Sequence, residues 1–111
     1  MSLETFTSIE DVAYGLFKLV ARAEDVNLEV VHPNGTNYLL EAYGECLYAI
    51  LKIDTAISLG TASTAFTMLK QLFVFDGKDD TESGFGTRKY ILGTYSDCVK
   101  RIYETQQNAS S

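Results

Sequence analysis

The residues of this sequence that chemistry could recruit are few: one histidine, two cysteines and a short run of four carboxylates. His32 stands beside Pro33 in a stretch that also holds the tight-turn dipeptide Asn34-Gly35. With no second imidazole, multi-histidine zinc and iron sites are excluded. A Ser-His-Asp or Cys-His arrangement would rest on one turn residue with no nucleophile motif around it, so His32 is read as a turn histidine without a catalytic role. Cys46 and Cys98 are too few for a disulfide framework and lack metal-ligand spacing. Both fall on apolar stripes and are read as buried, reduced thiols.

Asp76, Asp79, Asp80 and Glu82 bring oxygen ligands of the kind hard cations prefer into one loop, 76–86. The spacing fails the EF-hand pattern, because no Asp or Asn alternation precedes the glycine and the terminal bidentate Glu is missing. A solvated charge run in a mobile surface loop is the reading, with no metal and no cofactor. The same loop ends in Gly84-Phe85-Gly86, and backbone N–H groups at a helix start attract anions. The P-loop and dinucleotide fingerprints are both missing, and the carboxylates upstream oppose a phosphate. Phe85 is then either tucked into the edge of the core or exposed as a contact residue.

Asp54 is out of place on a helical wheel. It lies nearly opposite the polar strip of Glu41, Glu45 and Lys52, among Ile50, Ile53 and Ile57, where an unpaired carboxylate would cost several kcal/mol. Either the helix ends or bends there, so that Asp54 reaches solvent or caps the next helix, or the carboxylate is paired. Pairing would occur at a contact surface or in a small pocket with a tyrosine hydroxyl. Tyr14, Tyr48 and Tyr90 fall near the wet sides of their helices, and grouped they would make a contact patch of apolar rings with polar tips.

The elements that carry these residues follow from periodicity, with each residue placed at about 100° per step. Four segments gather their apolar residues on one arc: 8–25, 37–58, 63–75 and 87–106. The first opens with Thr7 or Ser8 as N-cap and Glu10 placed for a capping box. The second is apolar over more than half its wheel, which predicts a helix central to the bundle or seated against a partner, stopped by a left-handed Gly60. In the third, Leu72-Phe73-Val74-Phe75 would also suit extended chain. The fourth separates its faces most cleanly, with Asp97 and Arg101, and Lys100 and Glu104, spaced for helical ion pairs.

Together these give one all-α domain over 1–111, a four-helix and mainly antiparallel arrangement with a frayed polar tail at 106–111. The alternative is an α+β domain, because Leu28 and Val30 alternate with polar residues and a short hairpin would fit 27–40. An apolar fraction of 46% against 22% charged residues is that of a chain that folds on its own. A formal charge of −6 repels phosphate backbones and anionic lipid, which disfavours nucleic-acid and membrane partners. Nothing at residues 1–5 looks like a basic region followed by an apolar run, so a cytoplasmic location is expected.

The function expected is non-catalytic: a small adaptor, assembly factor or inhibitor that binds another protein, one with a basic surface, through an acidic face bearing Tyr14, Tyr48, Asp54, Phe85 and Tyr90. A homodimer through the second helix is part of the same expectation. The rival is a small-molecule-binding or enzymatic domain with an inter-helix pocket that includes Asp54.

Overall fold

The computed structural model describes residues 5–110; residues 1–4 and 111, which include most of the N-terminal stretch read for a leader, lie outside it. Four helices follow one another, α1 Ile9–Ala23, α2 Gly35–Leu51, α3 Leu59–Phe75 and α4 Arg88–Ser110. No strand occurs among the described residues, so the hairpin alternative falls and the all-α reading stands. The 27–40 stretch fails as a hairpin because Asn34-Gly35 does not close a two-residue turn. Asn34 is instead the N-cap of α2, and Gly35 N–H donates to the His32 carbonyl at 3.0 Å.

Local chemistry sets most boundaries. Ser8 caps α1 by accepting from Asp11 N–H, while the Asp11 carboxylate accepts from Thr7 N–H. This is a reciprocal cap displaced by one residue from the predicted pairing of Thr7 with Glu10. At the other end, Val26 N–H reaches the Ala21 carbonyl and Asp25 N–H the Arg22 carbonyl, the two bonds of a Schellman stop. The left-handed position of that stop is held by Asp25, at φ 59°, where glycine would be at ease. α3 ends in the same way with a glycine in place, Gly77 at φ 71°.

The largest departure from the sequence reading is the passage between α2 and α3. The second helix stops at Leu51 rather than at 58, and α3 begins at Leu59, not 63. Gly60 is therefore inside the first turn of α3 and stops nothing. Ser58 is the switch, its hydroxyl accepting from Thr61 N–H at 3.1 Å. The run 72–75 is helical to its end, and α4 stays helical past 106, although residues 104–109 are all exposed.

α1 and α4 each contact all the other helices, and α1 is buried along most of its length, whereas α2 packs on α1 and α4 and barely touches α3. Of the two places expected for the second helix, central to the bundle or against a partner, the central one is thus corrected. Its inward positions are Ala42, Cys46, Ala49 and Ile50, and its remaining bulky residues lie at the edge or outside. Phe17, Phe66, Phe73 and Tyr95 fill the middle of the core. The Tyr95 hydroxyl donates to the Ala62 carbonyl at 2.9 Å, so its buried polar tip is satisfied. Gly15 lets the Phe6 ring lie on α1, since a Cβ there would come within 3.0 Å of it.

Candidate interaction surface

Arg88, the first residue of α4, holds the most concentrated electrostatics of the molecule. Thr87 caps the helix, its hydroxyl accepting from Tyr90 N–H, and so fixes Arg88 beside the C-terminal end of α1. Its guanidinium forms a bidentate pair with Glu24, Nε to Oε2 at 3.0 Å and Nη2 to Oε1 at 2.7 Å. Nη1 donates to Glu41 at 2.8 Å and to Glu45 at 2.7 Å, both on α2. Tyr38 completes the cluster: its hydroxyl donates to Glu24 at 2.6 Å, and its ring lies 5.8 Å from the guanidinium carbon. Burial alone would raise the Glu24 pKa, but the hydrogen bonds from Arg88 and Tyr38 and the charge of Arg88 outweigh it and hold it below its usual value. Desolvation and the Glu24 carboxylate together push the Tyr38 phenol well above its usual value. One cation therefore ties α1, α2 and α4 together.

A second feature is apolar. Of the large hydrophobic side chains that remain exposed, Leu28, Val30, Val31, Leu39 and Leu40 all come from the α1–α2 connection and the first turns of α2. Tyr14, Leu28, Val30 and Leu39 line a hollow of about 340 Å³ whose walls include Phe17 and Tyr38. A neighbouring hollow of about 600 Å³ shares Tyr14, Val26, Asn27 and Leu28, so a groove runs past Leu28 on both sides. The connection is shaped by an Asx turn, Glu29 N–H to Asn27 Oδ1 at 2.9 Å, and by His32 stacked on Tyr38. Beyond Leu39, the outer line of α2 carries Leu40 and Tyr48, 67% and 68% exposed, with Gly44 between them.

The residues singled out from sequence are not brought together on this surface. Tyr14 lines the apolar groove. Tyr48 borders a separate hollow of about 500 Å³ between α2 and α4. Tyr90 is half-buried at the far side, its hydroxyl donating to Asp76 at 2.5 Å, and it packs on Phe73. Phe85 is buried against Phe73 at 5.2 Å between ring centroids, the tucked alternative. Asp54 lies outside the three hollows described here, in the turn after α2: its Oδ1 accepts from Ala56 N–H at 2.8 Å. Its carboxylate also keeps the Tyr103 phenol above its usual pKa. The bend of the chain thus explains its place on the wheel, with a tyrosine as its neighbour. Sequence reasoning missed the Arg88 cluster and the full extent of the groove; the alternation at Leu28 and Val30 was the trace of the latter.

The acidic loop is pinned rather than loose. Asp80 pairs with Lys70 at 2.9 Å, its carbonyl accepts from Arg22 at 2.6 Å, and Gly84 N–H donates to the Arg22 carbonyl at 3.0 Å. Asp79 accepts from its own neighbour Thr81, and Asp76 is engaged by Tyr90. Among the described residues no three His, Cys, Asp or Glu side chains come together as a metal site, and no helix is long and apolar enough to cross a membrane.

What these observations define is a four-helix, all-α domain with an exposed apolar groove beside an ion cluster. No protein-family model matches the sequence, and comparisons with curated proteins and with solved structures return no match.

Proposed function

We propose that this chain is a non-catalytic interaction module, a small adaptor, assembly factor or inhibitor, that binds another protein through the groove around Leu28 and the outer line of α2. The observation that carries the reading is the grouping of exposed apolar side chains on one stretch, with Tyr14, Leu28, Val30 and Leu39 around a single hollow. Cores bury such residues, and a fold that leaves them together at the surface marks a contact site. The thiols support a non-catalytic role, since burial pushes Cys46 up to about 12 and also raises Cys98, away from the thiolate a nucleophile needs. His32 stacks on Tyr38 and has no hydroxyl or thiol hydrogen-bonded to it among the described residues. The rival reading, a small-molecule pocket that includes Asp54, draws less support, because Asp54 lines none of the three hollows described above. The alternative occupant of the α2 face is a second copy of this chain, and a cytoplasmic setting belongs to the same proposal.

The test is affinity capture from the source proteome with mass-spectrometric identification, comparing wild type with Leu28→Asp, Leu40→Asp and a Tyr103→Phe control. A partner held by wild type and control and lost from either aspartate variant supports the reading. Equal recovery on all four overturns it.

A further inference from the structure

Resting on the interaction reading, the geometry points to a specific occupant for the outer face of α2: a basic amphipathic helix of another protein, its apolar side chains on Leu40 and Tyr48 and a Lys or Arg against Glu41 and Glu45. The apolar half of this match is a matter of shape. Leu40, Gly44 and Tyr48 follow one another at four-residue spacing, so they form a line along the helix about 12 Å long. A Cβ on Gly44 would meet nothing within 4 Å, which leaves a dip between two exposed side chains. Two such projections, two turns apart, suit the apolar face of one docking helix.

The charge half comes from the ion cluster. Glu41 and Glu45 lie beside this line, one turn apart, and their side chains are 64% and 51% exposed. They share a single donor, Nη1 of Arg88, while Nε and Nη2 serve Glu24. Three carboxylates on one guanidinium exceed its own charge by two, and Glu41 Oε2 and Glu45 Oε1 accept no hydrogen bond among the described residues. A cation from a partner completes that set. The neighbouring cations, Lys52 and Lys89, line the hollow between α2 and α4 together with Glu45, whereas Glu41 does not line it, so the occupant's basic residues belong at the Glu41 end. A second copy of this chain would bring the same surplus carboxylates and another net charge of −6, which disfavours self-pairing here.

The probe is a designed helical peptide of about 18 residues with leucine on one face and lysine on the other, long enough to hold a helix when docked. Two counterparts carry Gln or Glu in place of Lys. Amide chemical shifts of the labelled protein are followed on titration, for wild type, Leu40→Asp, the double variant E41Q/E45Q and the control D97N/E104Q. The expected result is that the Lys peptide moves the amides of 37–52 and that binding is lost in Leu40→Asp. Its affinity should also fall about fivefold in E41Q/E45Q and stay unchanged in the control, the size that two partly exposed ion pairs carry. Amide shifts unperturbed away from the substituted residues and the residues they contact establish that each variant is folded; should E41Q/E45Q lose the fold, single E41Q takes its place. Equal affinity for the Lys and Gln peptides overturns the charge match while leaving the α2 face as a docking surface. Shifts that fall elsewhere, or binding indifferent to Leu40→Asp, overturn both. Concentration-dependent dimerisation lost in Leu40→Asp would assign the face to a second copy and overturn the proposal.

Discussion

Replacing Arg88 with methionine keeps most of the side-chain volume and removes the charge, so it isolates what the ion cluster contributes. The Arg88 and Glu24 side chains are 19% and 29% exposed, and they meet in a bidentate geometry. A charge-assisted pair of that kind, partly shielded from water, contributes about 2 kcal/mol. The pairs to Glu41 and Glu45 are more than half exposed on the acidic side, and solvent screening reduces each to about 0.3 kcal/mol. The expected loss at neutral pH is therefore about 2.5 kcal/mol, or about 10 °C in Tm for a domain of this size. Urea denaturation followed by circular dichroism measures it. The pH dependence is the sharper reading. Glu24 has its folded pKa held below the ordinary 4.5, so its stabilisation is complete above that value and is lost as pH falls through the lower folded value. The gap between wild type and Arg88→Met should be full at neutral pH and should close progressively below about pH 4.5. A gap under about 0.5 kcal/mol at neutral pH would place the cluster among ordinary surface substitutions and refute the reasoning. So would a gap that is the same at neutral pH and at about pH 3, where carboxylates are mostly protonated.

Two further outcomes follow from the described geometry. Asp25→Gly places the permissive residue at a left-handed position and removes a negative charge from the C-terminal end of α1, so it should stabilise the fold by about 1 kcal/mol, read as a higher urea midpoint. An unchanged or lower midpoint would mean that the Asp25 backbone is not under strain. At the alkaline end, burial drives Cys46 from 9.0 to about 12, while burial and the Asp76 carboxylate drive Tyr90 from 10.0 to about 12. Groups raised in this way contribute fully below their unfolded values and lose that contribution as pH rises toward the folded ones, so stability should fall between about pH 9 and pH 12. Tyr90→Phe, which has no phenol to ionise, should flatten the upper part of that fall; an identical profile for the variant would show that Tyr90 does not report folding.

The four helices were legible because apolar periodicity is a local property, and the best-separated segment, α4, lies where its pattern put it. The break between α2 and α3 was misplaced for a physical reason. Ile53 and Ile57 continue the helical spacing past Leu51, yet they are half-buried residues of the connecting turn that pack against the core from outside any helix. Periodicity cannot tell such packing from a continued helix. The signals that could have done so are Ser58 three residues before Thr61, an N-cap pattern, and Asp54 two before Ala56, an Asx turn. The Arg88 cluster was beyond reach, since its partners lie 43 to 64 residues away and no local pattern foretells which carboxylates a guanidinium will meet. Tyr14, Tyr48 and Tyr90 were recognised as near the surface, but that no two of them line the same one of the three hollows depends on helix packing.

The two features missed in sequence bear on each other. α2 makes almost no contact with α3, and its inward line is built largely of small residues, so hydrophobic burial holds it mainly against α1 and α4. Polar cross-links also fix its position: Arg88 to Glu41 and Glu45, the Ser96 hydroxyl donating to the Ala49 carbonyl at 3.0 Å, and the hydroxyls of Tyr38 and Tyr43 donating to Glu24 and to the Glu10 carbonyl. A helix seated this way can spend Leu39, Leu40 and Tyr48 on the outside without losing its place. It follows that a partner cation drawn to Glu41 and Glu45 would act on the same carboxylates that position α2, relieving Arg88 of its surplus anions and leaving it committed to Glu24. Docking on this face and the stability of the α2 packing are then coupled through one guanidinium, so Arg88→Met should change affinity for a basic helix as well as the urea midpoint, whereas Leu40→Asp should change only the former.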